Sequence, residues 1–318
     1  MPPPPEFTQL YSDLNRDQLR VRRPNRFVFF CGGAIADGVG AAASLRHYLL
    51  EDRKIEKRID AEIVLAEQAN QLYRDTSYND LITFEEDIAR ISAMVLLIAE
   101  SAGSLAELGA FATNDTIRQS LTILLRSDHE EEESFIRYGP VKKVQNEDGD
   151  RVGVFPWRVN GKGRVVKASA RQHVKSIVDF INVRLKKVPQ EELFRANPTL
   201  QKFISIYWIL YLSQAMSISE LNAYLVACGF ADDTADVKNK LFCMKMVGWV
   251  DRYTYANKTF WFVNFSQDPF SRYAFVEGVV ERDTARRKAS VVFAVQKDLK
   301  IPRHVRDHVV TQQQSAMS

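Results

Sequence analysis

The chain has 318 residues, 46% of them hydrophobic and 11% aromatic, with 43 Lys and Arg against 40 Asp and Glu. That apolar share excludes a largely disordered protein, fourteen Gly and eleven Pro exclude a collagenous or low-complexity one, and the length suits one large or two ordinary domains. Three scattered cysteines, Cys31, Cys228 and Cys243, make neither a disulfide framework nor a C-x-x-C zinc pair, which points to a reducing compartment.

Residues 1–24 begin proline-rich, lack the basic and apolar regions of a signal peptide, and read as a flexible tail. Phe27–Phe30 is a short apolar run stopped by Cys31-Gly32-Gly33, the pattern of a buried strand entering a loop. Ser44–Leu50 is helical. Ile63–Leu65 is a strand candidate, and Phe84, Ile88 and Ile91 recur at helical spacing over Phe84–Ile91. Met94–Ala99 is apolar throughout, as a strand buried on both faces must be. A helix over Leu105–Thr113, a strand over Leu121–Leu125 and a helix over Gln172–Lys186 follow, with Arg151–Lys167 as an inserted hairpin turning at Asn160-Gly161. Residues 25–188 thus read as a doubly wound parallel-sheet α/β domain. The run Glu130–Glu133 reads as a solvated loop.

After Pro189 the pattern changes. Helices over Leu200–Leu212, Ile218–Ala227 and Thr234–Val247, with Ser219 and Asp232 or Asp233 as N-caps, precede a hairpin of Trp249–Tyr255 and Thr259–Phe265. That order is the one a winged helix-turn-helix has, so 189–267 reads as a winged-helix-like nucleic-acid or partner-binding domain and 268–318 as a basic extension. Lys238, Lys240 and Lys245 on the third helix, with Arg286, Arg287 and Lys288 beyond, are the candidate nucleic-acid contacts. Charge supports this: residues 1–150 hold 17 basic and 26 acidic side chains, residues 151–318 hold 26 and 14, so the back half favours a polyanion. The apolar stretches Ala93–Ala99 and Phe203–Leu212 reach about half the ~20 residues of a membrane helix, and a soluble, cytoplasmic protein without a membrane partner is expected.

Chemistry concentrates after the Met94–Ala99 strand, in Glu100-Ser101-Ala-Gly103-Ser104-Leu-Ala-Glu107. Ligands of open α/β sheets bind beyond the carboxyl ends of strands, and a glutamate in a first helical turn is favoured as an anion by the macrodipole. A carboxylate held there can attack or stabilise a cationic sugar carbon. Ser104-x-x-Glu107 is equally a capping box, in which Glu107 only bonds the Ser104 backbone. Cys31, Gly32 and Gly33 could bring backbone close to a sugar or phosphate, although Cys31 is better read as core than as a nucleophile. Arg46 could hold a phosphate or be an ordinary exposed helix arginine. His47, His129 and His173 form no metal pattern, so neither a metal nor a cofactor is expected.

Several blocks taken in order resemble one family: Phe-Phe30-Cys31-Gly32-Gly33, Ser44-Leu-Arg46-His47, Leu81-Ile-Thr-Phe-Glu85, Glu100-Ser-x-Gly-Ser-x-x-Glu107-Leu-Gly-Ala-Phe111 and Ser134-Phe-Ile-x-Tyr138-Gly139-Pro140. The family is that of the nucleoside deoxyribosyltransferase-like effectors encoded beside the reverse transcriptase of bacterial retrons. The resemblance spans about residues 26–145, and the block around Glu107 weighs against the capping-box reading. It implies a nucleoside deoxyribosyltransferase-like, Rossmann-like fold and an N-glycosidase toxin of anti-phage defence. It further implies control by the reverse transcriptase and its multicopy single-stranded DNA (msDNA, with its RNA–DNA hybrid), a homo-oligomer or larger assembly, and NAD as substrate rather than cofactor. By the same resemblance Glu107 is the nucleophile, and Glu67, Glu85 and Glu100 shape the ribose or base site with Ser101, Gly103 and Ser104. Ordinary deoxyribosyltransferases carry an aspartate where this chain has Ser101, which favours hydrolysis over base exchange. Nicotinamide in NAD is already cationic and so leaves without a strong general acid, which fits the lack of a second obvious catalytic acid in the sequence. The alternatives are a nucleobase-exchanging deoxyribosyltransferase, a DNA-binding regulator whose α/β domain senses a nucleotide, and a bare scaffold of the retron complex.

Overall fold

The computed structural model describes residues 2–35, 42–68, 76–128 and 134–316. The run Glu130–Glu133 and His129 lie outside the described residues. The chain forms two compact units, one from the described parts of Met1–Asn25, Gln71–Asn79 and Gln190–Ser318, the other from Arg26–Asn70 and Asp80–Pro189.

The first residues are no tail. Pro5–Asp13 is helix α1, started by a proline in its first turn, where a missing N–H costs nothing. Phe7, Leu10 and Tyr11 share one face and are buried, with the Phe7 ring 5.7 Å from Trp208 and 4.8 Å from Tyr224. Strand β1 (Arg20–Val21) follows.

The α/β unit contains β2 (Phe27–Cys31), α2 (Leu45–Glu51), β3 (Glu62–Leu65), α3 (Leu81–Ile91), β4 (Met94–Ala99), α4 (Ala102–Thr113), β5 (Leu121–Arg126), β6 (Val152–Phe155) and α5 (Lys167–Lys187), besides shorter helical turns. The strands make one parallel sheet in the order β3-β2-β4-β5-β6. The order reverses between β2 and β4, which is where a doubly wound sheet opens its ligand crevice. Val28, Phe30, Met94, Leu96, Ile98 and Leu124 on one face pack with Leu45 and Leu49 of α2 and Val174, Ile177 and Ile181 of α5. The alternate residues Phe29, Val95, Leu97 and Ile123 are equally buried, so both faces are covered. Val152–Phe155 is not half of an inserted hairpin but the fifth strand, paired with β5. The turn at Asn160 is smaller than expected, closed by a bridge between Val159 and Val165.

The other unit continues with β7 (Glu192–Leu193), α6 (Pro198–Ser213), α7 (Ile218–Ala227), α8 (Thr234–Met246), the hairpin β8 (Val250–Tyr255) and β9 (Lys258–Val263), β10 (Phe270–Arg272), α9 (Thr284–Leu299) and α10 (Arg303–Ala316). Ser217, not Ser219, caps α7, in a capping box with Glu220, and Asp233 caps α8. Met216, just before α7, bridges Trp261 of β9, and Ala256 and Asn257 turn the hairpin with positive φ. β10, β1 and β7 form a small antiparallel sheet. Within residues 268–318, Ile301, Val305 and Val309 pack on Phe260 and Phe262 of the hairpin, and His308 stacks on Tyr253 at 4.1 Å. Ser77 and Tyr78 belong to this unit too. The Ser77 N–H donates to Asn239 Oδ1 at 2.8 Å, and Tyr78 Oη lies 3.1 Å from Cys243 Sγ.

No helix among the described residues is long and apolar enough to cross a membrane, and no group of three or more His, Cys, Asp or Glu there is placed to hold a metal.

Candidate active site

β2 and β4 end side by side, with Cys31 in register with Leu97. The chain then leaves β2 through Gly32, whose φ of +150° disfavours a side chain and where a Cβ would meet Ile98 at 3.2 Å. A Cβ on Gly33 would come within 2.7 Å of Ser44 Cβ and 3.0 Å of the Glu100 side chain. The two glycines are therefore demanded by the packing of the β2 exit against the start of α2. Cys31 does not face a ligand: it is 1% exposed, and burial together with the Glu107 and Glu85 carboxylates pushes its thiol well up, which removes it as a nucleophile.

Arg46 is likewise neither an exposed helix arginine nor an open phosphate clamp. It is 1% exposed, its Nε donates to the Gly33 carbonyl at 2.9 Å, its Nη1 donates to the Phe30 carbonyl at 3.0 Å, and its Nη2 pairs with Glu67. A guanidinium forking onto carbonyls at a strand end satisfies groups that would otherwise be orphaned where the sheet opens. Glu67 lies just past β3, and its side chain is 48% exposed, so the pair reaches from the core to the crevice. Glu100 turns to protein rather than to an open subsite. Its carboxylate accepts from the backbone N–H groups of Leu45 at 2.6 Å and Arg46 at 3.1 Å, at the start of α2.

The start of α4 excludes the capping-box reading of Glu107. The cap is Ser101, whose hydroxyl accepts from the Ser104 N–H, while Ser104 Oγ accepts from the Ser101 N–H at 2.9 Å. With the box closed by two serines, Glu107 is not part of it and stands in the second turn, not the first. Gly103 is exposed, and a Cβ there would meet only Ser101 Oγ, at 4.0 Å. Burial raises the Glu107 carboxyl, Arg46 opposes this, and Glu67 adds to it, so the macrodipole alone does not set its ionisation as expected. Its Oε2 is buried with no hydrogen-bond partner among the described residues.

Glu85 completes the arrangement. α3 runs back toward β4, so its first turns stand at the carboxyl edge of the sheet. There burial, then the charge of Glu107, pushes Glu85 up to about 8. Two interacting carboxyls that are both penalised by burial tend to share one proton. Arg46 favours the charged form of Glu107, so the proton rests on Glu85. Glu85 is thus a carboxyl disposed to hold a proton beside Glu107. Twenty-one residues separate Glu85 from Glu107, and only the parallel sheet brings them together, so spacing carried no signal of the pairing. Cys31, Arg46, Glu67, Glu85 and Glu107 form one electrostatic cluster, while Glu100, Ser101 and Ser104 hold its walls.

The basic candidates are less available than their positions suggest. Lys240 is 8% exposed and paired with Asp236, Lys245 pairs with Asp251, Arg287 with Asp13 and Lys288 with Asp268. Lys238 lies over the Phe242 ring, and Arg286, the most exposed of the six, is 3.3 Å from Glu281. α8 is mostly buried, because Val237, Leu241, Phe242 and Met244 supply core on more than one side.

Residues 42–252 match the STM3845 retron effector protein family. Two curated relatives from Escherichia coli are similar. The "Retron Ec86 putative ribosyltransferase/DNA-binding protein" is 32% identical over 119 residues, which is 37% of each chain. Its Ec73 counterpart of the same description is 29% identical over 121 residues, 37% of this chain and 38% of the relative. Each match spans little more than a third of the length of these relatives.

Proposed function

The chain belongs to the STM3845 retron effector protein family, and from that premise we propose that it is the N-glycosidase effector of a retron anti-phage defence system. The observation that carries the reading is the buried Oε2 of Glu107, which has no hydrogen-bond partner among the described residues and stands at the crevice where the strand order reverses. A carboxylate oxygen deprived of donors in a dry site is costly unless a developing positive charge offsets it, as at the anomeric carbon of a departing glycoside. The relatives' description as ribosyltransferases agrees in reaction class.

With NAD as substrate, Glu107 attacks C1′ of the ribose as the C1′–N bond breaks. Its electron pair passes to the pyridinium nitrogen, and neutral nicotinamide leaves. Water then takes C1′ from Glu107 and releases a proton to solvent, which leaves ADP-ribose. Arg46 keeps Glu107 ionised, and Glu67 with the Gly32–Gly33 backbone borders the sugar. The helical unit is a winged-helix-like module that meets the reverse transcriptase and its msDNA, which hold the enzyme in check.

The test uses purified full chain with NAD, with and without the reverse transcriptase and msDNA. Nicotinamide is released in at least one state, and Glu107→Gln lowers the rate about 10³-fold or more. Absence of glycosidic cleavage in every state refutes the reading. One observation favours a second substrate class: the proton on Glu85 is what a neutral nucleobase needs in order to leave. On that reading Glu85→Gln slows release of a neutral base from a deoxynucleoside about 10²-fold or more and leaves nicotinamide release from NAD within a few-fold.

A further inference from the structure

Within the helical unit, β1, β10 and the loop leading to α9 border an open cavity of about 600 Å³. Arg20 and Arg272 line it, and they stand directly opposite each other on the antiparallel pair of β1 and β10. Like charges facing each other across a ladder destabilise a sheet unless an anion lies between them. The carboxylates close by in the chain serve other arginines. Asp17 pairs with Arg195 at 2.8 Å, Glu191 with Arg22 at 2.9 Å, Glu192 with Arg23 at 2.6 Å, and Glu281 with Arg286 at 3.3 Å. Among the described residues no carboxylate lies within ion-pair distance of Arg20, Arg272 or Arg282, the third arginine of the cavity wall. Arg282 is also oriented, since its Nε donates to the Val279 carbonyl at 3.0 Å.

We propose that this cavity is a binding site for a nucleoside phosphate, whose phosphate group lies between Arg20, Arg272 and Arg282. Guanidinium forks match phosphate oxygens two at a time, and the one carboxylate of the lining, Asp17, is paired with Arg195, so three arginines of one cavity wall are left to a multiply bonded oxyanion. The remaining lining suits the rest of a nucleotide. Phe275, which carries Arg287 5.2 Å from its ring centroid, offers an apolar face for a base, and Gln18 and Asp17 offer polar groups for a base edge. The volume is in the range of small-molecule sites and holds a nucleotide. The nucleotide is either free or one unit of a single strand, and the phosphate is common to both. The site is independent of the glycosidase reading, because it is assayed by binding alone.

The experiment follows the full chain by thermal melting with inorganic phosphate and with deoxyadenosine monophosphate, and by fluorescence anisotropy with a labelled single-stranded oligodeoxynucleotide. At least one of these ligands binds and stabilises the wild type. Arg20→Gln and Arg272→Gln melt at or above the wild type without ligand, because the opposed charges are gone, yet bind about tenfold more weakly or worse. Arg282→Gln lies outside the strands, shows the same loss of binding, and decides the matter should a strand variant fail to fold. Competition by the mononucleotide against the oligonucleotide assigns the site to a free nucleotide. Binding of the oligonucleotide alone, with a flatter salt dependence in the variants, assigns it to a strand. A wild type that responds to none of the three ligands, or arginine variants that bind as the wild type does, overturns the proposal.

Discussion

Glu85 keeps its proton near neutral pH because burial and the neighbouring Glu107 both disfavour its anion. In the unfolded chain it titrates near 4.5, and in the folded chain at about 8. Between those values the native state holds the extra proton, so stability falls as pH rises through this window and levels off above it. Glu85→Gln flattens that slope, and the variant melts higher than the wild type above about pH 8, as a pH series of melting curves will show. Glu107→Gln removes a like charge, lowers Glu85 and moves the end of the slope to lower pH. A slope that ends at the same pH in Glu107→Gln as in the wild type means that the two carboxyls do not interact. The individual acids were legible in the sequence. Their division into proton carrier and anion was not, because it depends on Arg46 turning inward, and nothing in Ser44-Leu-Arg46-His47 distinguishes a buried arginine from an exposed one.

Elements were legible where hydrophobicity was uniform or strictly periodic. Met94–Ala99 is apolar at every position, and the strand occupies those residues and no others. Phe84, Ile88 and Ile91 marked α3, although the helix begins three residues earlier, where Asp80 caps it. Legibility failed at short or masked patterns. Val152–Phe155 is only four residues with a glycine inside, too little to separate a fifth parallel strand from a hairpin arm. The prolines before α1 hid the helical spacing of Phe7, Leu10 and Tyr11. The serine box of α4 was also missed, because a Ser-x-x-Ser pair lacks the glutamate that usually signals it. Ser101→Ala removes the side chain that caps α4 and costs about 1 kcal/mol in chemical denaturation. Glycosidic activity falls with it if the second turn, and so Glu107, shifts. An unchanged midpoint contradicts the cap.

Across the whole molecule, the basic surplus of the back half is not spread as the halves suggest. Residues 151–189 hold ten Lys and Arg against one acidic residue, Asp179, and they belong to the α/β unit. Residues 190–318 are left with sixteen against thirteen. Dividing the chain at its midpoint merged two different surfaces, and the ion pairs of α8 then neutralise much of what remained. Lys240→Gln breaks the contact with Asp236 and lowers stability by about 1 kcal/mol. The same change leaves the affinity for single-stranded DNA, and its dependence on salt, at wild-type values in anisotropy titrations. A reduced salt slope in Lys240→Gln returns α8 to the nucleic-acid surface.

The path of the chain bears on how such effectors diversify. Ser77 and Tyr78 sit between β3 and α3 in sequence, yet they touch Asn239 and Cys243 of α8. A single crossover near Pro189 would hand a recipient gene a C-terminal module stripped of this strip and of α1, which puts Phe7 beside Trp208. Simple cut-and-paste recombination is thereby penalised.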